Sequence, residues 1–105
     1  MIRHCVMLQL APDHDPAELA AVLHGLNDLV GQIEGYTALS YGPNIDLEAK
    51  TPEFAVGFIG TFTSRAALER YAADPRHQAL GARLVQQCAG GADGILVFDI
   101  EETTP

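Results

Sequence analysis

At 105 residues, with 48% apolar and 19% charged side chains, the chain has the composition of one folded domain, able to bury a core without metal or disulfide staples. Its formal net charge of −8, from 14 acidic against 6 basic residues, excludes the positive footprint that a nucleic-acid backbone or an anionic membrane demands. Two cysteines are too few for a secreted disulfide framework, and no charged-then-apolar leader or long apolar span is present, so a reduced, cytoplasmic protein is expected.

Residues 2–10 alternate as a strand, with Ile2, His4, Val6, Leu8 and Leu10 on one face and Arg3, Cys5, Met7 and Gln9 on the other. Asp15 then caps a helix with Pro16 in its first position, where a missing N–H costs nothing. Leu19, Val22, Leu23, Leu26, Val30 and Ile33 form its apolar stripe, with His24 and Asp28 opposite. Gly35 ends that segment. Residues 36–41 read as a second strand closed by Gly42-Pro43-Asn44, and the polar stretch to Glu53 reads as a surface loop. Residues 54–62 form a third strand, with Phe54, Val56, Phe58, Gly60 and Phe62 on one face and Ala55, Gly57, Ile59 and Thr61 on the other.

Ser64 caps a short helix through Ala73, and Asp74-Pro75 starts another at once. On the first, Leu68 and Tyr71 share a face; on the second, His77, Leu80, Gly81, Leu84 and Cys88 do. A phenol and an imidazole are thereby aimed into one apolar space. Gly90-Gly91 breaks the chain, residues 95–100 form the last strand, and Glu101 to Pro105 are a tail.

The order strand, helix, strand, strand, helix pair, strand is the βαββαβ order of the ferredoxin-like α+β plan, a four-stranded antiparallel sheet with helices on one face. The whole chain, residues 1–105, reads as that single domain. Yet the last strand is apolar on both sides, Leu96, Phe98 and Ile100 on one and Ile95 and Val97 on the other, and Cys5, Met7 and Ile59 fall on the face that helices leave bare. Such a face predicts two sheets packed across a twofold axis in a homodimer.

His77 stands near a helix N-terminus, where backbone dipoles disfavour positive charge, and burial acts in the same direction. Both favour a neutral imidazole near pH 7, the form that accepts a proton as general base. Tyr71 can then donate its O–H to a carbonyl or enolate oxygen. The alternative is a buried histidine and tyrosine that satisfy each other or the backbone. His4 shares the helix-facing side of the first strand, where it can orient a ligand or bond to the helix pair. No CxxC, HxxxH or carboxylate cluster supports a metal site, and Cys5 and Cys88 have no activating partner.

Several stretches in order carry a family resemblance: the opening Ile2-Arg3-His4-Cys5-Val6, the loop Tyr41-Gly42-Pro43-Asn44 with Glu48, the strand Phe54 to Phe62 followed by Ser64, the run from Tyr71 through Asp74-Pro75 to His77, and the closing Val97-Phe98-Asp99. Over nearly its whole length the sequence resembles the stress-responsive dimeric alpha/beta-barrel (Dabb) family. The resemblance implies a ferredoxin-like subunit and a dimer whose sheets form a central barrel. One branch, the plant polyketide cyclases that include olivetolic acid cyclase, works without cofactor or metal, using a helix histidine and a nearby tyrosine between sheet and helices. By motif position these map onto His77 and Tyr71, and a first-strand histidine maps onto His4. The family often has histidine where this chain has Asp74, so any role of that extra imidazole is absent here.

The expected site therefore has His77 and Tyr71 as catalytic residues and His4, Val6, Leu68, Leu80 and Leu84 around a small apolar or aromatic ligand, with no metal and no cofactor. A catalytic pocket would carry out proton transfer next to a carbonyl, in an aldol cyclisation, isomerisation or lyase reaction on a phenolic or polyketide-like compound. The rival readings are a non-catalytic stress-response dimer with a residual pocket, and a cofactor-free monooxygenase on the same dimeric barrel. Asp99 and Glu48 match family positions and are read as hydrogen-bond anchors.

Overall fold

Capping chemistry sets where each helix begins. Asp15 accepts from the N–H groups of Ala17 and Glu18 to open α1 (Pro16–Asp28), Ser64 accepts from that of Ala67 to open α2 (Arg65–Ala73), and Asp74 accepts from that of Arg76 to open α3 (Pro75–Val85). The computed structural model describes residues 1–105 and joins these helices to four strands, β1 (Ile2–Leu8), β2 (Tyr36–Pro43), β3 (Val56–Phe62) and β4 (Ile95–Glu101). A 3-10 turn, Gly91–Gly94, leads into β4.

The four strands form one antiparallel sheet in the order β2-β3-β1-β4, the ferredoxin-like arrangement. Register places Val6 between Phe58 and Val97, and His4 between Gly60 and Asp99. Because cross-strand partners share a face, Ile2, His4, Val6 and Leu8 look towards the helices together with Phe58, Phe62 and Asp99. The stripe of α1 meets them there, with Leu19, Val22, Leu23 and Leu26 all buried. Each such aliphatic side chain contributes roughly 1.5–3 kcal/mol by leaving water. Arg83 on α3 pairs with Glu18 on α1 at 2.7 Å, a surface pair that adds about 0–1 kcal/mol to the same seam.

The elements differ from their sequence reading mainly at their ends. β1 stops at Leu8, and Leu10 instead bridges Cys88. The turn residues Ala89 and Gly94 take over the backbone groups of Gln9, through Ala89 N–H to the Gln9 carbonyl and Gln9 N–H to the Gly94 carbonyl. Cys88 thus lies beyond α3, not on its inner stripe. β3 begins at Val56, so Phe54 and Ala55 belong to the loop, where the Ala55 N–H donates to the Leu8 carbonyl. α1 ends at Asp28, and Ile33 reaches the core from the turns that follow. β2 runs on through Gly42 and Pro43, after a bulge between Tyr36 and Ala38. That bulge lets Tyr36 stay buried while the rest of the edge strand keeps its pairing.

The opposite sheet face has no helix. Ile59, Leu96, Phe98 and Ile100 are all exposed there, and the Met7 thioether lies over Gly57, where any Cβ would collide with its sulfur. No helix of the chain is long and apolar enough to cross a membrane.

Candidate functional site

The residue that fixes the site is Asp74. With its backbone at φ −70° and ψ 127°, it closes α2 by donating its N–H to the Tyr71 carbonyl, and it opens α3 with its side chain. The carboxylate also takes two hydrogen bonds from the Arg76 guanidinium, and that contact holds its pKa down to about 2. It remains charged, and the helix break stays capped, at any ordinary pH. The sharp turn folds the third residue of α3 back over the end of α2. His77 therefore lies on Tyr71, ring centroids 3.8 Å apart and planes inclined by 32°.

Tyr71 is only 2% exposed. Its ring meets those of Tyr36 at 5.0 Å, Phe62 at 4.9 Å and His4 at 5.8 Å, all edge-on. Tyr36 and Phe62 are themselves stacked at 4.9 Å. Gly60 makes that packing possible, since a Cβ there would come within 3.0 Å of the Phe62 ring and 3.5 Å of the Tyr36 ring. The two buried phenols differ in one respect. Tyr36 donates to the Leu26 carbonyl at 3.0 Å, whereas the Tyr71 hydroxyl forms no hydrogen bond with the rest of the chain and is not among the sealed, unpartnered polar atoms. Burial, and to a lesser degree Tyr36, raises the Tyr71 pKa well above the usual phenol value, so it is a proton donor and not a phenolate.

Burial lowers the pKa of His77, and the neighbouring His4 adds to the effect; the carbonyls of Ala72 and Tyr71 and the Asp74 carboxylate pull the other way. The balance keeps the imidazole neutral near pH 7. Its Nδ1 is sealed from solvent and makes no hydrogen bond.

His4 completes the group. Its Nδ1 lies 2.6 Å from Asp99 Oδ1, and a carboxylate can only accept, so Nδ1 is the donor. The ring, its side chain 14% exposed, sits edge-on to Tyr71. Asp99 acts as the anchor for His4, a role that depends on β1–β4 register between residues 95 positions apart. Sequence alone carried no signal for that pairing.

The remaining candidate residues divide between the core and its margin. Val6 and Leu84 are sealed in the core. Leu80 turns towards α1, with its methyl groups over Gly25, where a Cβ would lie 2.7 Å from Leu80 Cδ2. Leu68 borders a groove of about 330 Å3 shared with Ile2, Arg65, Glu69, Asp99 and Glu101, which brings solvent to the Asp99 side of the His4 pair. A larger concavity, about 620 Å3, lies on the sheet face away from the helices. No three His, Cys, Asp or Glu side chains converge as a metal-binding group. Glu48 is on the β2–β3 loop, remote in sequence from each of these elements, and exposed.

The family model for the stress-responsive A/B barrel domain matches residues 2–102. A dimeric ferredoxin-like protein of unknown function from Jannaschia sp. is 40% identical, with a TM-score of 0.91 over 96% of this chain and 98% of that one. A stress-response A/B barrel domain-containing protein of Arabidopsis thaliana is 24% identical over 103 residues, covering 98% of this chain and 91% of the relative. The fold is shared with the hydroxynitrile lyase of Passiflora edulis, which is 17% identical with a TM-score of 0.79 over 99% of this chain and 96% of that one.

Proposed function

The chain belongs to the stress-responsive A/B barrel domain family, and on that premise we propose that it works as a homodimer whose Tyr71–His77 pair performs cofactor-free acid/base chemistry on a small phenolic or polyketide-like compound. The observation that carries the reading is the stack of a neutral histidine on a protonated tyrosine at 3.8 Å, at a helix break built by Asp74. His77 Nε2 takes a proton from the carbon beside a carbonyl, and the Tyr71 hydroxyl donates to the oxygen that becomes negative. The proton returns from His77 to the rearranged product. His4, its ring held by Asp99 and edge-on to Tyr71, can orient a bound ligand beside the pair. Aldol cyclisation, isomerisation and lyase cleavage all pass through such an oxyanion. The hydroxynitrile lyase of the same fold supports the lyase form.

Self-association is supported by the dimeric relative at 40% identity and by the bare apolar sheet face. A second reading, a stress-response dimer without catalysis, is favoured by the close packing of Tyr36, Phe62 and His4 around Tyr71, which leaves little room beside the pair. Thermal-shift screening of wild type and His77→Ala against small phenols, polyketide lactones and aromatic acids separates the two. Stabilisation of wild type that is lost in the variant, followed by turnover of the same compound, is the expected result. If no compound in the panel stabilises the wild type, the non-catalytic reading stands.

A further inference from the structure

The 620 Å3 concavity on the outer sheet face plays no part in the chemistry above. It lies where β2 and β3 set Gly42 opposite Gly57, a pair that raises no side chain of its own, with Met7 of β1 leaning over Gly57 as one wall. A Cβ built on Gly42 meets nothing within 4 Å. None of the residues lining the dent is charged, in a chain that carries a net charge of −8. An uncharged patch spares two such acidic chains like-charge repulsion where they meet.

The loop between β2 and β3 raises Ile45, which also borders the dent of its own protomer, and Leu47 into solvent, 81% and 88% exposed, the most exposed large apolar side chains in the chain. The loop that holds them is firmly built. Asp46 Oδ1 accepts from the N–H groups of Lys50 and Thr51 and from the Thr51 hydroxyl. Asn44 Nδ2 donates to Thr51 Oγ1 and to the Phe54 carbonyl. Asp46 and Ala49 stand at positive φ, 43° and 55°, a conformation that costs non-glycine residues free energy. Such a loop sets two apolar side chains in fixed positions in water, beside a dent of matching polarity.

We infer that the dent over Gly42, walled by Met7, is a socket filled by Ile45 and Leu47 of a second copy of this chain. The inference rests on the homodimer proposed above and names what locks it. A twofold axis gives each copy both a knob and a socket, so every insertion is made twice.

The test is the dimer dissociation constant of wild type, of Gly42→Leu and of the double variant Ile45→Ser, Leu47→Ser, measured by analytical ultracentrifugation over a dilution series. Gly42→Leu starts from a Cβ that meets nothing within 4 Å and extends into the open dent, and the double variant removes side chains that the protomer leaves largely in water, so far-UV circular dichroism should match wild type in both. Both variants are expected to raise the dissociation constant by about tenfold or more. A dimeric wild type whose constant neither variant moves overturns the socket and leaves the dimer standing. Weakening by one variant alone overturns the pairing of knob with socket, and a monomeric wild type overturns socket and dimer together.

Discussion

Replacing His77 with phenylalanine should make the protein more stable while removing its proposed function. The variant keeps a ring against Tyr71, and with it the aromatic contact, which is worth about 0.5–1.5 kcal/mol. It removes Nδ1, a sealed polar atom without a partner, and with it a penalty of about 1–3 kcal/mol. The wider ring costs part of that gain through tighter packing. A net stabilisation of about 1 kcal/mol remains, and for a domain near this size it raises Tm by roughly 4–8 °C. The pH dependence has a definite sign. Because the folded pKa of His77 lies below its ordinary value of 6.5, the unfolded chain binds more protons between the two values. Wild type therefore loses stability as pH falls below 6.5, the loss ends below the folded pKa, and His77→Phe lacks that component. Differential scanning calorimetry of both proteins at equal protomer concentration, from pH 8 to pH 4, reads both effects. A Tm lowered by several degrees at neutral pH, or an identical pH slope, would refute the reasoning, since either means that the imidazole is well satisfied where it lies.

Four further substitutions probe the same site and its support. Asp99→Asn should loosen the His4 ring by replacing its charged anchor, seen as shifted nitrogen-15 signals of the imidazole; an unchanged spectrum would mean that something else orients the ring. Tyr36→Phe loses a buried donor to the Leu26 carbonyl and should cost about 1 kcal/mol in urea unfolding. Tyr71→Phe should cost almost nothing in the same assay, because its hydroxyl bonds to no part of the chain, while weakening any ligand found by thermal shift. Equal costs for the two would show that the Tyr71 hydroxyl is structurally engaged. Gly35→Ala places a Cβ against that of Ala67 and 2.7 Å from Thr63 Oγ1, at a φ of 85°. Strain and overpacking together should cost about 2–4 kcal/mol, read as a shift of the denaturation midpoint.

What the sequence disclosed was local in its physics. Asp15-Pro16, Ser64 and Asp74-Pro75 place helix starts through bonds that span two or three residues, and all three act as caps in the structure. The ferredoxin-like order followed from alternation and stripes, and Tyr71 meets His77 because only the Asp74 turn separates their helices. The partner of His4 was hidden because Asp99 reaches it only once β1–β4 register is set. The direction of Leu80 was equally obscure, since helical spacing does not say that Gly25 on α1 opens a slot for it. The end of α1 was misjudged for a related reason. Val30 and Ile33 keep an apolar spacing in turns that carry them to the core without any helix.

The sheet order also decides when the molecule can come into being. β1, the first strand made, lies in the interior of the sheet, and one of its two neighbours is β4, the last made. Pairing over such sequence distances requires closing long loops before any contact rewards it, which makes folding slow and places this step late. A ribosome must release nearly the whole chain before His4 meets Asp99, 95 residues away. A product interrupted after Gly94 could still form α1, α2 and α3 as local elements, yet His4 would lack its carboxylate and the outer face would lose Leu96, Phe98 and Ile100. Fragments thus hold neither the anchored His4 beside Tyr71 nor the complete apolar sheet face, and both arise only in finished molecules.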